Sequence, residues 1–301
     1  MKSLLLTIML ALNVSPLWAQ TVDMSKKSVT VIIPFPPGGG VDQTYQHFRR
    51  YLNARNITTN AVYKSGADGL IGMNEIERAN PDGTTISIGT AGTVAVHEIK
   101  KSQQNLIVVS AIRNSVTAFV SSTHSTIKQW HDLESRIQQN QPLRIGQGAP
   151  GQKMSVTQLV KLINPRYSHD IVSYRGGSPV VNDLLGGHID FAALPLSLVH
   201  SHIQSGRLTL IGVGSRQRLD TYKFVPSVYE KLSNWQEFDG FVLILPPGSS
   251  AAVQTHWTNV LTEYLNDPLV KQEFVDNFFE LLPIGSEPAR QLVIQSIKNL
   301  K

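Results

Sequence analysis

Residues 29–42 read VTVIIPFPPGGGVD, and this stretch constrains the fold more than any other. Val29, Val31, Ile32 and Ile33 form a short apolar, β-branched run, the pattern of a buried strand. Pro34, Pro36 and Pro37 end it, because proline removes a ladder donor and fixes φ. Gly38, Gly39 and Gly40 follow, and residues 44–53 read as a helix. A strand, a proline turn, a glycine bend and a helix N-terminus make an anion cradle. Glycine lets the backbone approach a ligand, and the free N–H groups of the first helical turn point at it. The Lys-Ser/Thr ending of a nucleotide P-loop is missing, so a carboxylate fits better than a phosphate. The bland alternative is a tight βα turn that holds nothing. Asp42 either caps the helix, the commoner use of such a residue, or receives a ligand's ammonium or hydroxyl.

A chain of 301 residues is long enough for two lobes. Its 41% hydrophobic content is that of a globular protein. Lys and Arg (27) outnumber Asp and Glu (22), but they are scattered and form no long run. That argues against nucleic acid and for a mild long-range attraction of anionic ligands. Residues 1–19 read as a secretory signal: Lys2 supplies the charge, residues 4–14 the apolar core, and Ala19 the position before the cut. The core is too short to span a bilayer. The chain has no cysteine, which excludes disulfides, a thiol nucleophile and a cysteine-linked lipid. A soluble monomer in the periplasm is expected.

Apolar runs alternate with helical patterns. Strands are expected at 29–34, 85–89, 107–110, 117–121, 143–146, 170–173, 191–194, 209–214 and 240–245. Helices are expected at 44–53, 69–79, 127–140, 153–163, 179–186, 197–205, 251–265 and 268–280. Strands separated by helix-length stretches argue for parallel α/β sheets. The lobes are not expected in chain order. Residues 117–123 read as a strand leaving lobe one, and 238–247 as a strand returning, stopped by Pro246 and Pro247. Lobe one would then comprise 20–121 plus 240–301, and lobe two 122–239. Two crossing strands make a hinge with a cleft between the lobes. Ligands of open α/β sheets sit beyond the carboxyl ends of the strands.

Other glycine-rich turns fall where such a cleft would lie. Residues 146–151, GQGAPG, match G-x-G-x-x-G after a strand. Pro150 is unusual in a dinucleotide fingerprint, and Asp170 precedes a strand rather than ending one. A second anion cradle containing Gly148, Ala149 and Gly151 is the better functional reading, and a structural turn the alternative. Residues 89–92, GTAG, at another strand end, read as a third donor loop that includes Gly89 and Thr90. At 173–179, SYRGGSP, Ser178 reads as a cap and Pro179 as first-turn proline. Tyr174 or Arg175 is placed to reach the cleft, against the reading of a capped helix start with a solvated arginine. The nine histidines form no recognisable metal set, and no nucleophile stands in a paired motif with a base. No metal, cofactor or catalytic group is expected.

Together these segments resemble the Bug family, the periplasmic receptors of tripartite tricarboxylate transporters. The family's P-F-[PA]-x-G-G-x-x-D loop is matched from Pro34 to Asp42, and its P-D-G turn from Pro81 to Gly83. Its V-x-Y-[KR]-G-x-x-P…D-L-L-G-G-x-[VI]-D block is matched from Val172 to Asp190. An I-x-[AS]-G-[KR]-L segment at Ile203 to Leu208, a V-P-[ST] at Val225 to Ser227 and a D-P-x-V at Asp267 to Val270 follow in order. The resemblance implies an α/β, type II-like periplasmic binding protein whose lobes close on one small carboxylate-bearing ligand. On the family pattern Phe35, Gly39, Gly40 and Asp42 bind from lobe one. Gly148, Ala149, Gly151, Tyr174 and Gly176 bind from lobe two. The implied partners are a di- or tricarboxylate or aromatic acid and a membrane permease; a two-component sensor input and an exported hydrolase are the alternatives. Leu70 stands where many members carry an amide, and residues 193–196 are apolar where many carry F-D-x-L. Both changes favour a larger or less polar acid. Lys153, near a position often held by histidine or a small residue, and Arg175 are expected to be rim charges.

Overall fold

The computed structural model describes residues 28–101, 106–236 and 240–301; the expected signal segment lies outside them. The elements in chain order are β1 (Val29–Ile33), α1 (Gly40–Asn53), β2 (Thr59–Tyr63), α2 (Leu70–Glu77), β3 (Thr85–Thr90), α3 (Ala91–Lys101), β4 (Ile107–Ser115), β5 (Thr117–Ser122) and α4 (Trp130–Gln138). Then come β6 (Arg144–Gln147), α5 (Pro150–Ile163), β7 (Asp170–Ser173), α6 (Gly177–Leu185), β8 (Phe191–Pro195), α7 (Leu196–Gln204), β9 (Leu208–Val213) and the short α8 (Val228–Lys231). The chain ends with β10 (Phe241–Leu245), α9 (Ala251–Asn266), α10 (Pro268–Asp276), β11 (Phe279–Glu280) and α11 (Ser286–Leu300).

Two sheets carry two lobes. The first has the order β11-β4-β10-β3-β1-β2 and the second β7-β6-β8-β5-β9. The sheets are mixed rather than wholly parallel. β10 runs antiparallel to β3 and β4, and β5 antiparallel to β8 and β9. These antiparallel strands are the ones that follow a crossing between sheets, so no right-handed βαβ crossover dictates their direction. The change of sheet falls at Val116, between β4 and β5. Residues 117–122 pair entirely within the second sheet, so the expected boundary after residue 121 lies too late. The departing strand is β4, which is longer than expected.

The period-two pattern explains the layers. In β1, Val29, Val31 and Ile33 join one core with Phe48, Trp257 and Tyr264. Ile32 turns to the opposite core with Met73, Val94 and Val293. The last helices thus pack on lobe one. In β5, Phe119 meets Trp130 and Trp235, whereas Ala118 and Val120 face Val180, Leu184 and Val199. Phe119 stacks on Phe191 with ring centroids 6.2 Å apart, and Phe48 meets Tyr264 edge-on at 5.0 Å. Each such buried ring contributes roughly 1.5–3 kcal/mol to its own lobe.

Among the described residues no helix is long and apolar enough to cross a membrane, and no cluster of three or more His, Cys, Asp or Glu side chains is placed to hold a metal ion.

Candidate functional site

The proline-glycine loop is held by one carboxylate. Asp42 accepts the Gly38 N–H through Oδ2 at 2.7 Å, and the Tyr63 hydroxyl through Oδ1 at 2.7 Å. Gln46 Nε2 also donates to Oδ1, at 3.1 Å. Gly38 has φ +79°, a conformation that suits glycine. Helix α1 starts at Gly40, four residues earlier than expected, with Gly39 as its N-cap. Asp42 is therefore in the first turn rather than at the cap. It bonds backward to the loop, as the acid of a capping box does. Burial, with the bond to Asp42, pushes the Tyr63 phenol up to about 12, so it stays a donor.

Across the interlobe cleft, a small cavity of about 30 Å³ is lined by Phe35, Gly39, Gly40 and Val41 from the first loop, Thr90, Gly148 and Ala149, Gln152, Gly177, Pro195 and Phe241. Most of these positions share one property. Gly39 and Gly40 open α1, and Thr90 immediately precedes α3. Ala149 is the N-cap of α5, Gly177 opens α6, and Pro195 is the N-cap of α7. Five helix N-termini meet at one cavity. Each carries about half a positive elementary charge and amide donors without intrahelical partners; the first N–H of α3 and of α7 is taken up by the Gly240 and Val116 carbonyls. The cavity lining contains no Lys, Arg or His.

The remaining expected residues lie around this cavity. Gly151 lines a second, adjoining cavity. Gly89 is within β3, and the space beside its Cα belongs to Ile244, Met73 and Pro34. Tyr174 turns its hydroxyl onto Asp183 Oδ2 and packs, half-buried, against the second lobe's core. Burial and that bond push its phenol up to about 12. Gly176 caps α6 in place of the expected Ser178. Gly148 must be glycine: a Cβ there would stand 2.2 Å from the Gly176 carbonyl carbon. The Gly176 backbone in turn leaves no room before Pro36 Cδ, 2.7 Å from a virtual Cβ, so the two glycine loops touch across the cleft. Lys153 and Arg175 are exposed. Lys153 faces a separate surface groove beside the end of α11.

Three residues escaped the sequence reading. Gln152 reaches back from α5 to accept the Gly148 N–H at 2.7 Å, the counterpart of Asp42 in the other lobe. Phe241 forms part of the cavity wall. Arg113, fully buried, stacks its guanidinium on Phe279 at 3.4 Å and on Phe241 at 4.2 Å. It donates to Thr44 Oγ1 at 2.9 Å and to the Gly40 carbonyl at 3.1 Å, fixing the first turn of α1 from behind. Its signal was a lone cation inside an apolar strand.

The family model described as the tripartite tricarboxylate transporter family receptor, TctC, matches residues 46–301. The chain belongs to this family. As a member it is a solute-binding receptor of that transporter type. Solved structures agree on the fold. The periplasmic binding protein BugD superposes with a TM-score of 0.80 at 20% identity, covering 91% of this receptor and 95% of BugD. MatC from Rhodopseudomonas palustris, with bound malate, gives 0.81 at 18% identity over 91% of this chain and 97% of its own. Rpa4515 of R. palustris, with adipate, gives 0.82 at 19% identity over 92% and 96%. The Bug-family resemblance is thus upheld, although the signature loop at 34–42 precedes the matched segment.

Proposed function

We propose that the receptor captures a small organic acid, without chemical change, between its lobes in the periplasm and delivers it to the membrane permease of a tripartite transporter. Residues 1–19 are removed on export, and the mature chain acts as a monomer. The ligand carboxylate sits against Gly39, Gly40, Gly148 and Ala149, with Phe35 and Thr90 beside it. Asp42 and Gln152 hold the two loops rather than the ligand.

The observation that carries this reading is the meeting of five helix N-termini at one cavity without a cationic side chain. Backbone donors and helix dipoles stabilise an anion there, and a cationic ligand would be repelled. The acids bound in MatC and Rpa4515 fit the same chemistry.

A thermal-shift screen of dicarboxylates, tricarboxylates and aromatic acids tests it. A ligand at 100 times its dissociation constant adds about 2.7 kcal/mol of stability. At least one acid should raise Tm by several degrees. A panel that leaves Tm unchanged, with a response only to amines or sugars, contradicts the reading.

A further inference from the structure

Helix α10 ends at its C-cap Asn277, and Phe278 follows with φ +57°. A left-handed residue just past a helix end is usually glycine, sometimes asparagine. Among the described non-glycine residues with positive φ, the others are Asn56, Ala67, Asp68 and Asn140; Phe278 is the large one. A bulky side chain stays in that conformation only where its surroundings over-determine it. Here the surroundings belong to the other lobe. The next residue, Phe279, pairs with Ser115 on the lobe-one sheet and stacks with Arg113. The Phe278 ring instead packs, half-buried, against the second lobe's core. It lies 4.8 Å from the His200 ring of α7 and 6.3 Å from the Tyr222 ring. Those two side chains share a hydrogen bond of 2.7 Å between the Tyr222 hydroxyl and His200 Nδ1.

The backbone makes the same crossing. Val116, where the chain changes sheet, donates its N–H to the Phe278 carbonyl at 3.2 Å. Its own carbonyl accepts the Leu196 N–H, the first of α7, at 2.8 Å. His200 stands about one turn along α7 from Leu196. The end of α10 is thus tethered to α7 twice, by backbone through Val116 and by the Phe278 ring. α7 is the helix whose N-cap, Pro195, lines the carboxylate cavity. We propose that Phe278 is a positioning residue for ligand capture: a lobe-one ring seated in lobe two that fixes α7, and the helix N-terminus it brings to the cavity, relative to lobe one. A packed ring limits the rotation about the crossover that single backbone bonds permit. The effect on affinity rests on the carboxylate reading of the cavity; the effect on lobe geometry does not.

The chain contains no cysteine, so Asn53→Cys at the end of α1 and Gln139→Cys after α4, both exposed, would carry the only two spin labels. Pulsed distance measurements on the unliganded mature chain should give a broader interlobe distribution for Phe278→Asn than for the parent. Asparagine tolerates the left-handed backbone and removes the ring, so relief of strain offsets part of the lost packing. His200→Ala removes the partner ring without touching residue 278 and should broaden the distribution too, which decides the matter if Phe278→Asn does not fold. Calorimetry with the acid that raises Tm most should show both variants binding weaker by about fivefold or more, the scale of a lost aromatic contact. Phe278→Leu, which keeps apolar bulk at the seat, should stay within about threefold of the parent. A lower Tm with parental distances and affinity would mean that the ring only fills the core, and overturns the inference. Variants indistinguishable from the parent do the same. If no acid binds, the carboxylate reading fails by itself, and the unliganded distances still decide whether Phe278 holds the lobes.

Discussion

Ser197, at the start of α7 in lobe two, donates through Oγ to Gln43 Oε1 of α1 in lobe one at 2.9 Å. The bond spans the cleft between two helices whose N-termini both meet the candidate cavity. A widening of the cleft that separated these two helices would break it. Ser197→Ala should therefore weaken ligand binding by about threefold to tenfold, the yield of a neutral hydrogen bond. Thermal stability without ligand should change little. A double-mutant cycle with Gln43→Ala, followed by calorimetry, should show that the two losses are not additive. Additive losses would mean that the pair does not couple the lobes.

Gly92 of α3 meets α5 of the other lobe so closely that a Cβ would stand 3.1 Å from Gly151 N and 3.2 Å from Pro150 Cβ. Gly92 is in the first turn of α3, where alanine is otherwise at least as favourable as glycine. Gly92→Ala should thus leave each lobe as stable as before or slightly more so, and hold the lobes apart. Small-angle scattering with saturating ligand should give a larger radius of gyration than the parent. An equal radius with equal affinity would show that closure tolerates the added methyl.

Asp42→Asn replaces an acceptor of three donors by a side chain with its own N–H₂ group. One of the contacts with Gly38, Gln46 or Tyr63 must then fail. The variant should lose about 1–3 kcal/mol of stability. Affinity should drop at least tenfold, because the loop that presents Gly39 and Gly40 loosens. A change confined to affinity, with Tm unchanged in chemical and thermal unfolding, would instead place Asp42 in direct ligand contact.

Lys153 and Arg175 are exposed, and the cavity lining includes neither. Alanine at either position should weaken binding less than tenfold. The loss should appear in the association rate and shrink with added salt, as rim charges do. A hundredfold loss that persists at high salt would require the charge to reach the ligand.

Burial is the foremost cause lowering the pKa of His47, His169, His200 and His202 from the ordinary value of 6.5. Unfolding raises each toward 6.5, so the unfolded chain binds more protons below that pH. Stability should then hold above about pH 6.5 and fall as pH drops further. Denaturant titrations between about pH 7.5 and about pH 5.5 should show the midpoint decline. A flat profile would mean that these rings are solvated in the native state.

Most of the sheet was legible because apolar runs bounded by Gly and Pro mark strands by local chemistry. β2 was not, since Thr59, Asn60 and Ala61 carry little apolar signal and the strand is only half buried at an edge. α3 is not among the expected helices because its first turn begins Ala91, Gly92, Thr93, which reads as a continuation of the donor loop. Its glycine is explained only by α5 across the cleft, a contact that sequence cannot show. α11 follows Gly285 without an N-cap side-chain bond. The glycine loops were legible as cradles, but their supports were divided. Asp42 was visible four residues from its partner. Gln152 carries no motif of its own, and Arg113 acts from a strand 73 residues away from Gly40.

The central claim is that backbone donors at converging helix N-termini hold a carboxylate. Calorimetry with the tightest-binding acid and its methyl ester at that carboxylate measures this most directly. The ester keeps the shape and removes the charge. Charge-assisted bonds contribute about 1.5–3 kcal/mol each, so loss of two should weaken binding by at least about a hundredfold. An ester that binds within a few-fold of the acid would contradict the account.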